Sequence, residues 1–544
     1  MQAGTFHKIN ITFTPEKICF VLNDWLLSNM LIEIIGELQN ENPYIRFEIF
    51  KIADDEEKEL PQSVLLSLLK RFVYPLLYIE KKLSNYSPHY LETSCVNIVK
   101  SLENVRLMTG SKTDLSKKDQ PENVVIGLGD RQLFQYLEGM ACKTILLDDE
   151  LPKGDIFWFI TKYLYNHQPL KFYSIEEGFS QRVIWNHYFQ TLEYGVAKNI
   201  RFFKYSIKVA LYTLSHTTPH FQQDLPGPNR QAAVGNVLKA GFFLFKTMAG
   251  KVVKRLLKKI FKARWGIILV PRKDDVFPDV RAGENLFLLS KNRDGWADPF
   301  LVDDDEHTHL FLEILDGYSR KGRLAVLTLN NVNNKLQDII HEPFHLSYPN
   351  VIKADATWYM IPESSHSKGV RLYKSNQFPF QWQFERELIP GIMCLDYTPF
   401  FYNQKWWHFT IIKSHELAGS YDLLYLFHSN HLFNDPWQPH LQNPIVTDSS
   451  KARMAGRIYM EDGQIYRPSQ NCFDLYGGEI WLNKIITLNE QVYEEETVKV
   501  ITPQTFGTSI RGVHTYNRSD DFYVYDGIFK LGWKGTLKGK CMCQ

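Results

Sequence analysis

Four carboxylates recur at related places in one stretch of the chain. Asp298, Glu313, Glu363 and Asp396 lie within or beside short aromatic-rich segments, and Glu313 and Glu363 stand 50 residues apart. Paired carboxylates divide the work of glycosidic cleavage: one protonates the leaving oxygen, while the other activates water or attacks the sugar. The strongest catalytic pair is Asp298 with Glu363. Asp298 would be the base or the charge-stabilising carboxylate, and Glu363 the acid. Asp396 would orient substrate or tune the acid through the proximity of like charge. The alternative is that these carboxylates are turn or hydrogen-bonding residues tying neighbouring units together. Arg457 and Arg467, on neighbouring short strands, can clamp a carboxylate, a phosphate or sugar hydroxyls. Glu313 and His514 complete the candidate substrate contacts.

No cofactor or metal is expected. The chain has neither a P-loop nor a dinucleotide fingerprint. Its first five cysteines form no close pairs, and Cys541 and Cys543 lack His or Cys partners at zinc spacing. The loop His428-Ser429-Asn430-His431 offers metal-binding side chains, but histidines in polar loops usually bind none.

The carboxylates need elements to position them, and a repeat supplies these. Trp296-Ala297-Asp298-Pro299-Phe300, Ser347-Tyr348-Pro349-Asn350-Val351 and Tyr397-Thr398-Pro399-Phe400-Phe401 are each followed by a turn and an aromatic strand. Pro299, Pro349 and Pro399 are 50 residues apart. A period in this range marks a repeat architecture, and short strands that cannot bury their apolar face alone stack radially into a propeller. With Asn443-Pro444 and His514 as further entries, residues 265–535 give five blades. Asp298, Glu363, Asp396 and His514 should then lie nearer the axis than the rim.

Several uncommon motifs occur here in order. They are Trp296-Ala297-Asp298-Pro299-Phe300, His345-Leu346-Ser347-Tyr348-Pro349, Ile361-Pro362-Glu363-Ser364-Ser365, Asp396-Tyr397-Thr398-Pro399-Phe400, Tyr466-Arg467-Pro468-Ser469-Gln470 and Gly512-Val513-His514-Thr515. On these motifs the region resembles the propeller domain of the glucosamine inositolphosphorylceramide transferase family. It is also similar in class to five-bladed inverting arabinanases and xylosidases. That second resemblance implies an Asp base in the first blade, matched by Asp298. It further implies a pKa-tuning Asp in the second blade and a Glu acid in the third. Here those blades carry Glu363 and Asp396, so the residue types are rearranged. Both resemblances imply a carbohydrate or glycolipid substrate in surface-glycan or glycolipid metabolism, with hydrolysis, transfer and binding alone all open.

Residues 14–192 alternate strands with helices, which implies an α/β domain with a parallel sheet. Strand candidates include Lys17-Ile18-Cys19-Phe20-Val21-Leu22, Phe47-Glu48-Ile49-Phe50-Lys51-Ile52, Asn97-Ile98-Val99, Asn123-Val124-Val125-Ile126-Gly127-Leu128 and Lys143-Thr144-Ile145-Leu146-Leu147. The loop Gly127-Leu128-Gly129-Asp130 follows a strand, where open sheets bind ligands. In topology, and over residues 123–147, this half resembles a formyltransferase-like domain. No Asn-x-His pair occurs in residues 97–160, so the resemblance implies a degenerate scaffold or docking unit. The alternative is formyl transfer to an amino sugar.

Residues 193–264 read as a helical, basic linker. In 251–262, Val252, Val253, Leu256, Leu257, Ile260 and Phe261 fall on one helical side, and Lys251, Lys254, Arg255, Lys258, Lys259 and Lys262 on the other. Such a helix either lies on an anionic membrane or packs its apolar stripe on a neighbouring domain.

The 544 residues carry a formal charge of +1, which excludes bulk nucleic-acid binding. No signal-peptide pattern and no apolar run of membrane-spanning length is evident, and the cysteine usage fits a reducing compartment. The expectation is a cytoplasmic protein, peripheral at most to the inner membrane face. The oligomeric state is not legible.

Overall fold

In the computed structural model, the described residues of the C-terminal part are 263–272, 285–329, 335–364, 367–413, 420–421, 423–472, 476–530 and 539–543. Before residue 250 they comprise the seven strands given below, helical stretches that include Ile160–Tyr165 and residues 237–246, and a few isolated positions. The chain divides into two compact units, Lys8–Val253 and Lys254–Gln544, the latter with Met1–His7.

The first unit holds a seven-stranded sheet in the order Val105–Gly110, Arg46–Ile52, Lys17–Leu22, Asn123–Leu128, Lys143–Leu147, Leu170–Ile175, Gln181–His187. The first five strands are parallel, as the alternating pattern predicts, and the last two run antiparallel. Ile18, Cys19 and Phe20 are consecutive and fully buried, as are Val125 and Ile126. Consecutive burial means that both faces of these central strands are covered. Asn97-Ile98-Val99 and residues 129–130 lie outside the described residues, and so does the loop that bears on formyl transfer.

Residues 237–246 are helical. Val237, Ala240 and Leu244 are fully buried. A Cβ placed on Gly241 would come 3.0 Å from the Val73 side chain, which marks the packed face. This helix falls within the unit Lys8–Val253. Residues 251–262 lie outside the described residues.

The second unit is a five-bladed propeller. Blade 1 is Gly295–Asp303, Thr308–Leu315, Gly322–Thr328, Gln337–Ile340. Blade 2 is Ser347–Ala354, Thr357–Glu363, Gly369–Gln377, Gln381–Pro390. Blade 3 is Cys394–Tyr402, Lys405–Ile412, Leu424–Ser429, Gln438–Pro439. Blade 4 is Arg453–Met454, Gln464–Asn471, Glu479–Leu488, Tyr493–Ile501, with Tyr459–Glu461 pairing the second of these. Blade 5 combines both ends of the domain: Tyr516–Arg518 and Phe522–Lys530 pair onward with Ala263–Pro271, Asn285–Leu289 and Gly539–Cys543. The nine-residue register from Phe522↔Pro271 to Lys530↔Ala263 closes the ring and leaves no open edge between the last blade and the first strand. The propeller strands therefore extend past the 265–535 boundaries at both ends.

Apolar residues from the blades pack in clusters such as Phe300, Phe311, Tyr348, Met360, Trp407 and Phe409. Two sequence expectations are corrected. Asn443-Pro444 is not the entry to blade 4. Asn443 caps Leu426 on both sides, accepting from its amide at 2.7 Å and donating to its carbonyl at 2.6 Å, and the first strand of blade 4 begins at Arg453. The third repeat is also out of phase with the proline spacing, as the bulges below show.

Candidate active site at the propeller axis

Each of the first three blades carries the same irregularity near the start of its first strand. Register breaks between Ala297 and Phe300, between Ser347 and Asn350, and between Leu395 and Thr398. In each case two residues oppose one, which defines a β-bulge. The inserted pairs are Asp298-Pro299, Tyr348-Pro349 and Asp396-Tyr397. The first member of each has positive φ: 48° at Asp298, 49° at Tyr348 and 46° at Asp396. This region is sparsely populated by residues with a Cβ and is held only where surroundings enforce it. Asp396 is thus the structural equivalent of Asp298, and Pro399 stands two residues beyond the position of Pro299 and Pro349. The backbone irregularity, not the proline, sets the phase.

Carboxylates from preceding blades cap these bulges. Asp526 Oδ2 of blade 5 accepts the Asp298 amide at 2.9 Å. Asp298 Oδ2 of blade 1 accepts the Tyr348 amide at 3.0 Å. Glu363 Oε2 of blade 2 accepts the Asp396 amide at 3.3 Å. The acidic residues therefore link one blade to the next around the axis.

These carboxylates, with Asp396, also gather two basic groups. Arg453 donates from Nε to Asp396 Oδ2 at 2.6 Å, and its Nη2 reaches Glu363 Oε2 at 3.5 Å. Gln470 Nε2 adds a longer contact to Asp396 Oδ2 at 3.3 Å. Tyr476 covers the Arg453 guanidinium, 5.1 Å from ring centroid to Cζ. On the other side, His514 Nδ1 lies 2.6 Å from Asp526 Oδ2, and its Nε2 is 3.8 Å from Asp298 Oδ1. Thr515 Oγ1 donates to Asp298 Oδ1 at 2.8 Å. Trp265 stacks on the His514 ring at 4.1 Å and Tyr476 meets it edge-on. Gly477 has φ of +64°, and a Cβ there would sit 2.6 Å from the His514 Cβ, so only glycine fits this approach.

Burial dominates the electrostatics. It raises the pKa of Asp298 against the lowering pull of His514. Burial likewise pushes Asp396 up to about 7, although Arg453 opposes it. Burial alone would lower the pKa of His514, but the charge and hydrogen bond of Asp526, helped by Asp298, raise it. Glu313 is held well above the usual carboxylate range by burial and then by the neighbouring charges of Asp298, Glu363 and Asp526. His345 Nδ1 accepts the Gly322 amide at 2.8 Å, so a neutral ring carries its proton on Nε2, which lies 3.4 Å from Glu313 Oε1. That separation is within ion-pair reach, but the geometry is not that of a hydrogen bond, and Glu313 Oε1 has no hydrogen-bond partner among the described residues.

The structure thus brings Asp298, Glu363, Asp396 and His514 together, with Glu313 near enough to feel the charges of Asp298, Glu363 and Asp526. The two other predicted contacts are committed elsewhere. Arg457 donates to the carbonyls of Leu301 at 2.8 Å and Val351 at 2.6 Å, and so joins blade 4 to blades 1 and 2. Burial lowers its pKa to about 10. Arg467 is fully buried and forks onto Glu495, with both contacts at 2.7 Å. Its expected role as a clamp is corrected to an internal ion pair of blade 4. Arg453, Asp526, Gln470, Thr515 and Tyr476 are members that the repeat did not reveal. The signal was weak: Gln470 and Asp526 stand in the motif-like passages of blades 4 and 5, but Arg453 has no repeat counterpart.

Asp298, His514 and Asp526 each offer a ligand atom, all within 4.8 Å of one another. His514 Nδ1 and Asp526 Oδ2 already pair at 2.6 Å, and a cation would have to displace that contact.

Residues 290–521 match the family described as glucosamine inositolphosphorylceramide transferase 1, N-terminal. The chain is 32% identical over 250 residues to glucosamine inositolphosphorylceramide transferase 1 of Oryza sativa subsp. indica, covering 45% of this chain and 33% of that protein. The protein of the same name from Arabidopsis thaliana is 27% identical over 226 residues, covering 41% and 29%. The chain therefore spans about a third of the length of the curated relatives it matches. Among solved structures, it is similar to the catalytic domain of a family 62 α-L-arabinofuranosidase of Coprinopsis cinerea, with 13% identity, 50% of this chain and 92% of that chain covered, and a TM-score of 0.35. For a family 43 β-xylosidase/α-arabinofuranosidase from a compost microbial metagenome the values are 14%, 50%, 99% and 0.34. The propeller is thus similar in sequence to the N-terminal domain described for glucosamine inositolphosphorylceramide transferase 1.

Proposed function

We propose that the propeller is carbohydrate-active and takes a glycosyl group of a surface glycan or glycolipid at the axial carboxylate–arginine network. The observation that carries this reading is the convergence of Asp298, Glu363 and Asp396 on one network with Arg453 and His514, inside the segment matched to a glycolipid glycosyltransferase family. Acid–base chemistry at neutral pH needs carboxyl groups moved out of their ordinary range, and Asp396 at about 7 meets that need. In this reading Asp396, linked to Glu363 through Arg453, holds the exchangeable proton. Asp298, fixed by Tyr348 and Thr515, supplies the second carboxylate. Trp265 and Tyr476, both half-buried, provide apolar ring surface beside it.

A second reading is favoured by a specific observation. Asp298, Glu363 and Asp526 each accept the amide of a neighbouring blade's bulge, which is what residues that build a non-catalytic recognition module would do. The full-length protein incubated with a panel of glycosides and nucleotide sugars, with product detection and parallel glycan-array binding, separates the two. Turnover supports the first, array binding without turnover supports the second, and neither result overturns both.

A further inference from the structure

The helix at residues 237–246 has a second, exposed apolar face. Leu238, Phe242 and Phe245 are 53%, 57% and 64% exposed. Their spacing of four and then three residues places them on one side of the helix, opposite buried Val237, Ala240 and Leu244. Tyr165, itself partly exposed, meets the Phe242 ring edge-on at 6.3 Å and extends the patch. Three large apolar side chains in a row, two of them phenyl rings, form a contiguous exposed patch of the kind that marks an interaction surface.

The charge of the sequence that carries this helix points to the partner. Within the same unit, from Leu225 to Val253, the chain carries four Lys and Arg residues and no Asp or Glu. Lys239 and Lys246 stand on the helix itself, and Lys246 is exposed. An apolar stripe without hydrogen-bonding groups, set in purely basic sequence, matches a surface that is apolar below and anionic above.

We propose that the Leu238–Phe242–Phe245 face docks on an anionic lipid bilayer. The phenyl rings enter the boundary between headgroups and acyl chains, and the lysines pair with the headgroups. Such docking is peripheral: among the described residues no helix is long and apolar enough to cross a membrane. A basic stretch attracts any acidic surface, but an acidic protein partner would leave the phenyl stripe without a matching feature on this page. The inference does not depend on the reading of the propeller axis.

The test is co-sedimentation of the full-length protein with vesicles of phosphatidylcholine alone and of phosphatidylcholine with phosphatidylserine. Binding is expected only to the anionic vesicles, with release by added salt. The double variant Phe242→Ser, Phe245→Ser should partition about tenfold less while unfolding at the same denaturant concentration, because both rings are exposed in the fold. The pair Lys239→Gln, Lys246→Gln should weaken binding and shallow its salt dependence, and it carries the test if the serine variant does not fold. Wild-type protein that ignores anionic vesicles, or a folded serine variant that binds them as wild type does, overturns the proposal. Capture by an acidic protein with no vesicle binding overturns it as well.

Discussion

Asp298 Oδ2 accepts the backbone amide of Tyr348 at 3.0 Å, and the two residues stand 50 apart in the chain. The bond joins equivalent bulges of adjacent blades. It makes Asp298 at once a structural link and the first member of the axial network. The same carboxylate also accepts from Thr515, so its removal strands two buried donors.

Asp298→Ala should therefore destabilise the propeller by about 3 kcal/mol, the scale for leaving buried donors and a charge unpaired. Urea unfolding followed by tryptophan fluorescence measures this. A cost near zero would show that the bulges are held by packing alone.

Among the described residues, Arg453 is the one guanidinium that contacts both Asp396 and Glu363. Arg453→Met leaves two buried carboxylates without compensation and should cost roughly 3–5 kcal/mol at neutral pH. Lowering the pH should recover part of that loss, because Asp396, already raised by burial, then protonates. A variant equally destabilised at every pH would contradict this electrostatic account.

Stability should fall as pH rises from about 6.5 to about 8, above the range in which the buried neutral rings of His408 and His440 add stability of the opposite sign. Glu313 and Asp396 have folded pKa values above those of an unfolded chain, so folding takes up protons. Their contribution is whole below the ordinary carboxylate pKa and is lost as pH rises through the folded values, about 7 for Asp396. His514, also raised, adds loss of the same sign as pH climbs past its folded pKa. Glu313→Gln removes one of these groups. It should flatten the profile and make the protein more stable than wild type at the alkaline end by roughly 1–3 kcal/mol, the cost of a buried polar group left unsatisfied. Denaturant midpoints across the pH range decide this, and a profile that rises with pH would refute it.

Arg467→Met tests the corrected assignment in blade 4. Removing one partner of the buried Arg467–Glu495 pair should cost roughly 3–5 kcal/mol. In the fraction that remains folded, affinity for any glycan found by the array should not change. Glycan affinity that collapses in a folded variant would return Arg467 to the site.

The blades were legible because their inner strands are aromatic, bulged and nearly periodic. The phase of the third was not: Pro399 continues the proline spacing, while the backbone break falls at Asp396-Tyr397. A bulge is a property of two paired strands, and one strand's sequence marks it only where proline happens to sit in it. Closure of the ring was equally hidden, since Ala263–Pro271 pairs with Phe522–Lys530 across the whole domain with no local signal. Asp298, Glu313, Glu363 and Asp396 were found through the repeat. Arg453 and Asp526 were not, because blades 4 and 5 depart from it. Arg457 and Arg467 were misjudged for a related reason: an arginine on a short strand looks the same in sequence whether it meets a ligand, carbonyls of another blade or a buried glutamate.

The most direct test compares the full-length wild type with Asp298→Asn and Glu363→Gln on the substrate that gives turnover in the glycoside and nucleotide-sugar panel. Each change keeps the shape and removes the titratable group. If the axial network performs the chemistry, both variants stay folded, keep sugar affinity within about tenfold and lose turnover by roughly 10² or more. Turnover that survives both substitutions in folded protein would contradict the assignment.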